Sequence, residues 1–226
     1  MASNDETTAF LQEKWEHLTK ATNVNKSVQD KWWDHLKSHY LDPKRKYHTF
    51  VHLKRMFDDM EDVKDLIQSK EAMSYAIFFH DASYDVHAQD NEENSFNTFT
   101  EFITEADTEE VISLGPLVEQ LIKASKASCA EVYKSDEMFG KEDMHFFMDF
   151  DISILGYDPK EYKKFSDQIR EEYSFLPKSR YNGLRIKVLQ QFLQIPNIYA
   201  TEIFHKKYEK QARCNIQNEI DALQKE

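Results

Sequence analysis

The spacing of apolar residues constrains the fold of this chain more than any other feature. Apolar side chains recur every three or four positions in successive segments, as in TAFLQEKWEHLTKA (8–21) and FVHLKRMFDDMEDVKDLI (50–67). This spacing places them on one face of a helix, whereas the alternation typical of a half-buried strand is nowhere sustained. The chain also has only 4 Gly and 5 Pro, which leaves few residues for the turns of an all-β fold. The sequence therefore predicts an all-α protein.

The length and the helix order predict one domain. A chain of 226 residues, 40 % of them hydrophobic, suits a single domain with a sizeable core, and no clear linker interrupts it. We therefore predict one helical bundle over residues 1–226, with additional helices at both ends. The dense apolar segment EAMSYAIFFHD (71–81) predicts a central buried helix. Trp15, Trp32 and Trp33 are predicted core residues. Gly115-Pro116 predicts a break in the helical segment 108–125, which would then form two helices.

Charge and composition restrict the partners. The net charge of −12, without a long basic stretch, argues against a nucleic-acid partner. No apolar run approaches the roughly 20 residues of a membrane span, and the first residues lack the apolar region of a signal peptide. Cys129 and Cys214 do not make a disulfide framework. These observations predict a cytoplasmic protein without a membrane partner. A nuclear location and a homo-oligomer remain open.

His80 and Asp81 form the first candidate site. They follow four apolar residues at the predicted end of a buried helix, where the helix macrodipole disfavours an anion. A buried carboxylate costs several kcal/mol unless it is paired or bound to a metal. A divalent cation would satisfy both residues. The alternative is an arginine or lysine partner for Asp81, together with a capping histidine.

Further ligands of the same kind occur elsewhere in the chain. His48 and His52 are four residues apart, and they share a helix face if the helix has begun by His48. In FMDFDISILG (147–156), the face shared with Phe147 favours Asp151 as the inward acid, while Asp149 would support the metal shell or bond a histidine. The alternatives are a half-buried histidine on a backbone carbonyl and helix acids paired with surface lysines. The combined set of candidate ligands is His52, His80, Asp81 and Asp151. Such a set suits one divalent Mn, Fe, Zn, Co or Mg ion.

Four motifs in order resemble those of a known family. RKYHTFVH (45–52), FHDASYD (79–85), DNEENS (90–95) and DFDISILG (149–156) are similar to R-x-Y-H-x-x-x-H, FHD-x-x-Y-D, DNE-x-x-S and D-x-D-x-x-ILG. These motifs characterise one branch of the HD-domain metal-dependent phosphohydrolase superfamily. The resemblance covers residues 40–195 approximately. It implies an all-helical HD-type domain that hydrolyses a small phosphorylated substrate, such as a nucleotide, with a metal-activated water.

The resemblance also implies a ligand set. It assigns the metal ligands to His52, His80, Asp81 and Asp151. One departure is Ser128, which ends ASKAS (124–128) where the branch has the histidine of A-T-x-x-H. The loss of this histidine argues against a second metal. It also leaves open a catalytically weakened protein that binds a metal, a nucleotide or a protein partner.

Three residues are candidates for catalysis. Asp81 would hold the metal and orient the attacking water, and Glu92 would act as a general acid or base. The alternative for Glu92 is a first-turn acid in a helix that Asp90 caps. Arg170, in the matching segment IREEY (169–173), would bind phosphate, and its alternative is a salt bridge to a nearby glutamate.

Four further residues are candidates for substrate binding. The guanidinium of Arg45 matches the geometry of a phosphate group, and His48 lies beside it in the same motif. Tyr84 would bond the substrate or close the loop after the HD pair. Lys126 would replace part of the role of the missing histidine.

Overall fold

The structure, a computed structural model, describes residues 4–125 and 139–225. Over these residues the chain is helical and contains no β-strand, which confirms the predicted all-α class. The chain divides into two compact units, residues 1–126 and 127–226. This division does not decide whether the chain folds as one domain, so the single domain stays a prediction.

The described residues of each unit form a series of helices. Among its described residues the first unit contains α1 (Asn4–Ala21), α2 (Lys26–Tyr40), α3 (Phe50–Asp62), α4 (Lys70–Phe79), α5 (Asn91–Ala106) and α6 (Glu109–Ala124). The described part of the second unit contains α7 (Asp143–Ile152), a 3₁₀ turn (Ser153–Gly156), α8 (Pro159–Glu172), α9 (Lys178–Gln194) and α10 (Glu202–Leu223). None of the helices in these described segments combines the length and the apolar character that crossing a membrane requires.

The core of the first unit is built around α4. Ser69 caps this helix by accepting a hydrogen bond from the Ala72 amide, and the following turns are almost entirely buried, as the sequence predicts. Aromatic rings from α1, α2 and α5 pack on the last turn: the ring centroids of Trp15, Trp32 and Phe102 lie 6.1, 5.9 and 5.4 Å from that of Phe79. This packing fixes the end of α4, where the chain enters the HD pair.

Helix α6 corrects the predicted break at Gly115-Pro116. The helix runs without interruption from Glu109 to Ala124, with Pro116 inside it. An internal proline removes one backbone hydrogen bond, but α6 packs against both α4 and α5. A Cβ atom at Gly115 would lie 3.3 Å from Ile103 Cδ1, so the glycine permits the close approach of α5. Tertiary packing therefore overrides the local preference.

In the second unit, α10 packs against the 3₁₀ turn. Asn215 Nδ2 donates hydrogen bonds to the carbonyls of Leu155 and Tyr157, at 2.9 and 2.8 Å. Gly156 lies between these two residues, and a Cβ atom there would overlap Tyr208 on α10. The absent side chain at Gly156 therefore allows the two backbones to approach each other.

Candidate metal centre

The start of α3 positions His52. Thr49 caps the helix and has an extended backbone conformation, so the helix begins at Phe50 and His52 lies in its first turn. The His52 side chain is buried, with 1 % of the residue exposed. His48 precedes the helix, so the condition for a shared helix face with His52 is not met. The ring of His48 stacks instead on that of Tyr84, with 4.1 Å between the centroids.

The end of α4 orients His80. Its Nδ1 lies 3.0 Å from the carbonyl oxygen of Ile77. Because a carbonyl oxygen only accepts, Nδ1 carries the proton, and in the neutral ring Nε2 presents its lone pair. This Nε2 lies 3.2 Å from His52 Nε2 and 3.2 Å from Asp81 Oδ2. A backbone carbonyl thus holds the ring in the tautomer that a metal ligand needs.

The three side chains are close enough to hold a divalent cation. One ligand atom from each of His52, His80 and Asp81 lies within 4.8 Å of the others. Two ligands at about 2.0–2.2 Å from a metal, at tetrahedral or octahedral angles, are about 2.8–3.6 Å apart. Both 3.2 Å separations at His80 Nε2 fall in this interval. Two imidazoles and a carboxylate form a donor set that suits Zn, Fe, Mn or Co.

Asp81 is in the charge state that metal binding requires. Burial alone would raise the pKa of its carboxyl, but in the metal-free protein the charge and hydrogen bond of His80 in its protonated form, with further contributions from His48 and His52, hold the pKa well below its usual value. The side chain remains 16 % exposed. Asp81 is therefore an ionised candidate ligand, and it is more exposed than the two buried histidines.

Arg45 holds the loop that carries Asp81. Its Nη1 donates to the Asp81 carbonyl at 2.6 Å, and its Nη2 donates to the Ala82 carbonyl at 3.1 Å. The residue is 7 % exposed, and its guanidinium lies 5.5 Å from the centroid of the Tyr84 ring. The sequence predicts a phosphate contact for Arg45. These bonds show that its guanidinium positions the backbone on the C-terminal side of α4.

Arg45→Ala should weaken metal binding. The two carbonyls lose a charged donor, which leaves the Asp81 loop less fixed, and changes of this kind cost about 10–100-fold in metal affinity. Competition with a coloured chelator measures the affinity. Lys44→Ala, at the adjacent exposed position, is the control and should keep the wild-type value. Equal affinity in the two variants would show that the loop holds its place without Arg45.

The sequence analysis missed the residues that anchor the other end of this loop. Ser95 Oγ accepts from the Ser83 amide and donates to the Ser83 carbonyl, each at 3.1 Å. The Asn91 side chain makes the same reciprocal pair with the backbone of Asp85, at 2.9 Å for both bonds. Both residues belong to DNEENS. Asn91 and Ser95 are therefore informative residues of this motif, as well as its acids.

Glu92 lies in the first turn of α5 and is half-buried. Asp90 occupies the N-cap position, but its side chain makes no capping hydrogen bond. The side-chain cap that provided the alternative reading is therefore absent, although an acid in a first turn remains favourable. A general acid or base role for Glu92 stays a prediction.

The structure corrects the face argument for the two acids of α7. Asp149 is fully buried, whereas Asp151 is half-buried. The Asp149 carboxylate accepts from the amides of Ala200 and Thr201, at 2.6 and 2.8 Å, and from Thr201 Oγ1 at 2.6 Å. Burial raises the pKa of Asp149 to about 7, although these three donors favour the ionised form. Asp149 thus binds the start of α10, and its support of a metal shell stays a prediction.

Two other predicted residues belong to the second unit. Asp151 lies on α7, outside the cluster that the first unit forms by itself, and its role as a ligand stays a prediction. Arg170 donates to the carbonyls of Tyr173 and Leu176, at 2.7 and 3.1 Å. These two hydrogen bonds account for the position of the Arg170 side chain without the predicted phosphate contact or the alternative salt bridge. Lys126 and Ser128 lie outside the described residues.

Comparison with known proteins adds no relative. No model of a protein family matches the chain, and no curated protein matches it either. The resemblance to the HD superfamily therefore rests on the motifs, and the candidate metal centre rests on its geometry.

Proposed function

We propose that the protein is a metal-dependent phosphohydrolase that acts on a small phosphate ester, such as a nucleotide. The observation that carries the proposal is the convergence of His52, His80 and Asp81 within 4.8 Å. The order of the four motifs supports it. His52, His80 and Asp81 would hold one divalent ion in this proposal, and the role of Asp151 as a further ligand stays a prediction.

The chemistry divides between the ion and the chain. A bound divalent cation lowers the pKa of a coordinated water and polarises a phosphoryl oxygen. Asp81, ionised and partly exposed, would bind the cation through one carboxylate oxygen and would orient the attacking water through the other. His80 is held by the Ile77 carbonyl, so its ring does not have to reorient when substrate binds.

The rim of the cluster offers substrate contacts. His48 and Tyr84 stack on each other and are both half-buried, so each can turn a polar atom toward a phosphate group. Arg45 contributes its positive charge while its nitrogens hold the loop carbonyls. The proposal does not require Arg170, which donates hydrogen bonds to two carbonyls of the second unit.

Phosphate release tests this function. Purified protein, loaded with manganese, iron, cobalt or zinc, is offered nucleotides and sugar phosphates, and free phosphate is measured. Wild-type protein should release phosphate from at least one class, and a chelator should stop the release. Asp81→Ala should lose metal and activity together, because its carboxylate serves both.

His87→Ala is the matched control, since this exposed histidine lies on the same loop outside the cluster. It should keep both metal and activity. An Asp81→Ala protein that retains both would refute the site. Metal bound by wild-type protein without turnover of any substrate would instead support the alternative, a catalytically weakened HD protein that binds a metal or nucleotide.

A further inference from the structure

Helix α9 packs against α10 along one side. Its buried residues are Tyr181, Asn182 and Leu189. Asn182 Nδ2 donates a hydrogen bond to the carbonyl of Leu223 on α10, at 3.3 Å. Arg185 forms an ion pair with Glu219, also on α10, with 2.8 Å between Nε and Oε1. These contacts define the face of α9 that the fold of the second unit uses.

A row of apolar side chains lies on the exposed side of α9. Leu184 and Val188 are 48 % and 44 % exposed, and Phe192 and Ile195 continue the row as half-buried residues. The spacing of four, four and three positions aligns them along one helix face. We call these four residues the α9 stripe. A single exposed apolar residue is ordinary on a protein surface, whereas a continuous row indicates a binding surface.

Two cations lie beside the α9 stripe. Arg180 precedes Leu184 by four residues and Lys187 follows it by three, so both are its neighbours on the helix surface. Both cations are exposed, and neither has an ion pair or a side-chain hydrogen bond within residues 4–125 and 139–225. The segment 173–201 contains no Asp or Glu, although the chain has a net charge of −12. The exposed side of α9 thus combines an apolar row with positive charge that its own segment does not neutralise.

We propose that the α9 stripe is a docking surface for an acidic amphipathic helix of a partner protein. Apolar anchors of the partner cover Leu184 and Val188, while its carboxylates lie beside Arg180 and Lys187. Recognition through anchors at helical spacing is a common mode of peptide binding. At 1.5 Å per residue the stripe is about 16 Å long, so about three turns of the partner helix cover it.

The charge of α9 distinguishes this occupant from two others. Lys187 lies near the middle of α9, so antiparallel pairing of two copies through the stripe would bring the two Lys187 side chains close together, and like charges at an interface are unfavourable. An anionic membrane surface would repel a chain with a net charge of −12. An acidic partner helix meets Arg180 and Lys187 locally and supplies the apolar cover as well. Docking does not involve the metal centre, and the proposal stands whether or not the protein is a phosphohydrolase.

Binding of a designed helical peptide to the full chain tests the proposal. A fluorescent peptide of about 18 residues is long enough to form helix in solution, and it carries leucine at heptad positions a and d with glutamate at the flanking e and g positions. Fluorescence anisotropy should show saturable binding of one peptide per chain. A matched peptide with glutamine in place of every glutamate should bind about fivefold more weakly, the effect of two exposed ion pairs.

Two substitutions locate the bound peptide. Leu184→Ser should weaken binding about four- to tenfold, because the half of this side chain that is exposed would be buried in the complex. Lys187→Glu should weaken binding of the acidic peptide about fivefold and leave binding of the glutamine peptide unchanged, since it alters only the charge contact. Both positions are on the surface, so both variants should keep the unfolding temperature of the wild type.

Matched controls separate the α9 stripe from general surface effects. Leu66→Ser changes an equally exposed leucine, also 48 %, in the first unit, and Lys210→Glu makes the same charge change at an exposed position of α10. Both should keep the wild-type affinity. Absence of binding, or equal weakening by Leu184→Ser and Leu66→Ser, would overturn the proposal. It would also be overturned by a wild-type dimer that Leu184→Ser dissociates in sedimentation, or by phosphatidylserine vesicles that bind wild type but not Lys187→Glu, because these results assign the stripe to a second copy or to a membrane.

Discussion

His80→Ala should reduce the affinity for a divalent metal by at least about a hundredfold, so that the protein no longer retains metal through purification. Loss of a residue that only supports a ligand already costs about 10–100-fold, and His80 supplies a ligand atom itself. Its Nε2 lies 3.2 Å from both of the other candidate ligands. Without it, only His52 and Asp81 remain of the cluster, and the ligand atom that lies between them is missing.

Elemental analysis of the purified protein measures this effect directly. Wild-type protein should carry about one equivalent of metal, and His87→Ala should carry the same amount, since exposed His87 lies outside the cluster. Circular dichroism shows whether the variants remain helical. Metal retained by folded His80→Ala would show that the ion binds elsewhere. His52→Ala provides a second test, because it removes the other imidazole from α3 and should give the same loss.

Gly156→Ala should lower the free energy of unfolding by about 3 kcal/mol, the upper part of the range for overpacking a tightly filled site. The added Cβ atom would lie 2.8 Å from the Tyr208 carbonyl oxygen and 2.9 Å from Tyr199 Oη, and still closer to Tyr208 Cβ. Two of these atoms are fixed to α10, which is bonded on both sides of the glycine through Asn215. The helix must shift as a whole to make room.

Gly183→Ala is a matched control for this substitution. A Cβ atom at Gly183 meets nothing within 4 Å, and the residue is an exposed position inside α9. Alanine should therefore stabilise the protein by about 0.5–1 kcal/mol, because glycine is unfavourable inside a helix. Urea unfolding of both variants gives the two free energies. A small effect at Gly156 would mean that α10 moves away from the 3₁₀ turn at little cost.

The fold could be predicted where apolar spacing and packing agree. The helical periodicity is strong enough to predict the all-α class, and the dense segment before His80 forms the buried helix α4. The predicted helix break at Pro116 was wrong, because the contacts of α6 with α4 and α5 compensate for one missing hydrogen bond. Such compensation depends on residues distant in sequence, which the spacing within one segment does not reveal.

The candidate site follows the same distinction. The pairing of His80 with Asp81 and the contribution of His52 could be anticipated from residue type and position. The contacts of Arg45 and Asp149 could not, because each binds backbone groups distant in sequence. A phosphate-binding arginine and an arginine that caps carbonyls look alike in a sequence. Only the positions of Asp81, Ala82, Ala200 and Thr201 distinguish these roles.

The aromatic packing around α4 gives the candidate metal centre an intrinsic optical reporter. Trp15 and Trp32 lie against Phe79, the residue before His80, while Trp33 stacks on Phe50, two residues before His52. These are all three tryptophans of the chain, and they belong to the first unit. Tryptophan fluorescence therefore reports on the two helix ends that carry the candidate ligands, without any added label. The second unit contains no tryptophan, so unfolding confined to residues 127–226 would unfold no tryptophan-containing segment.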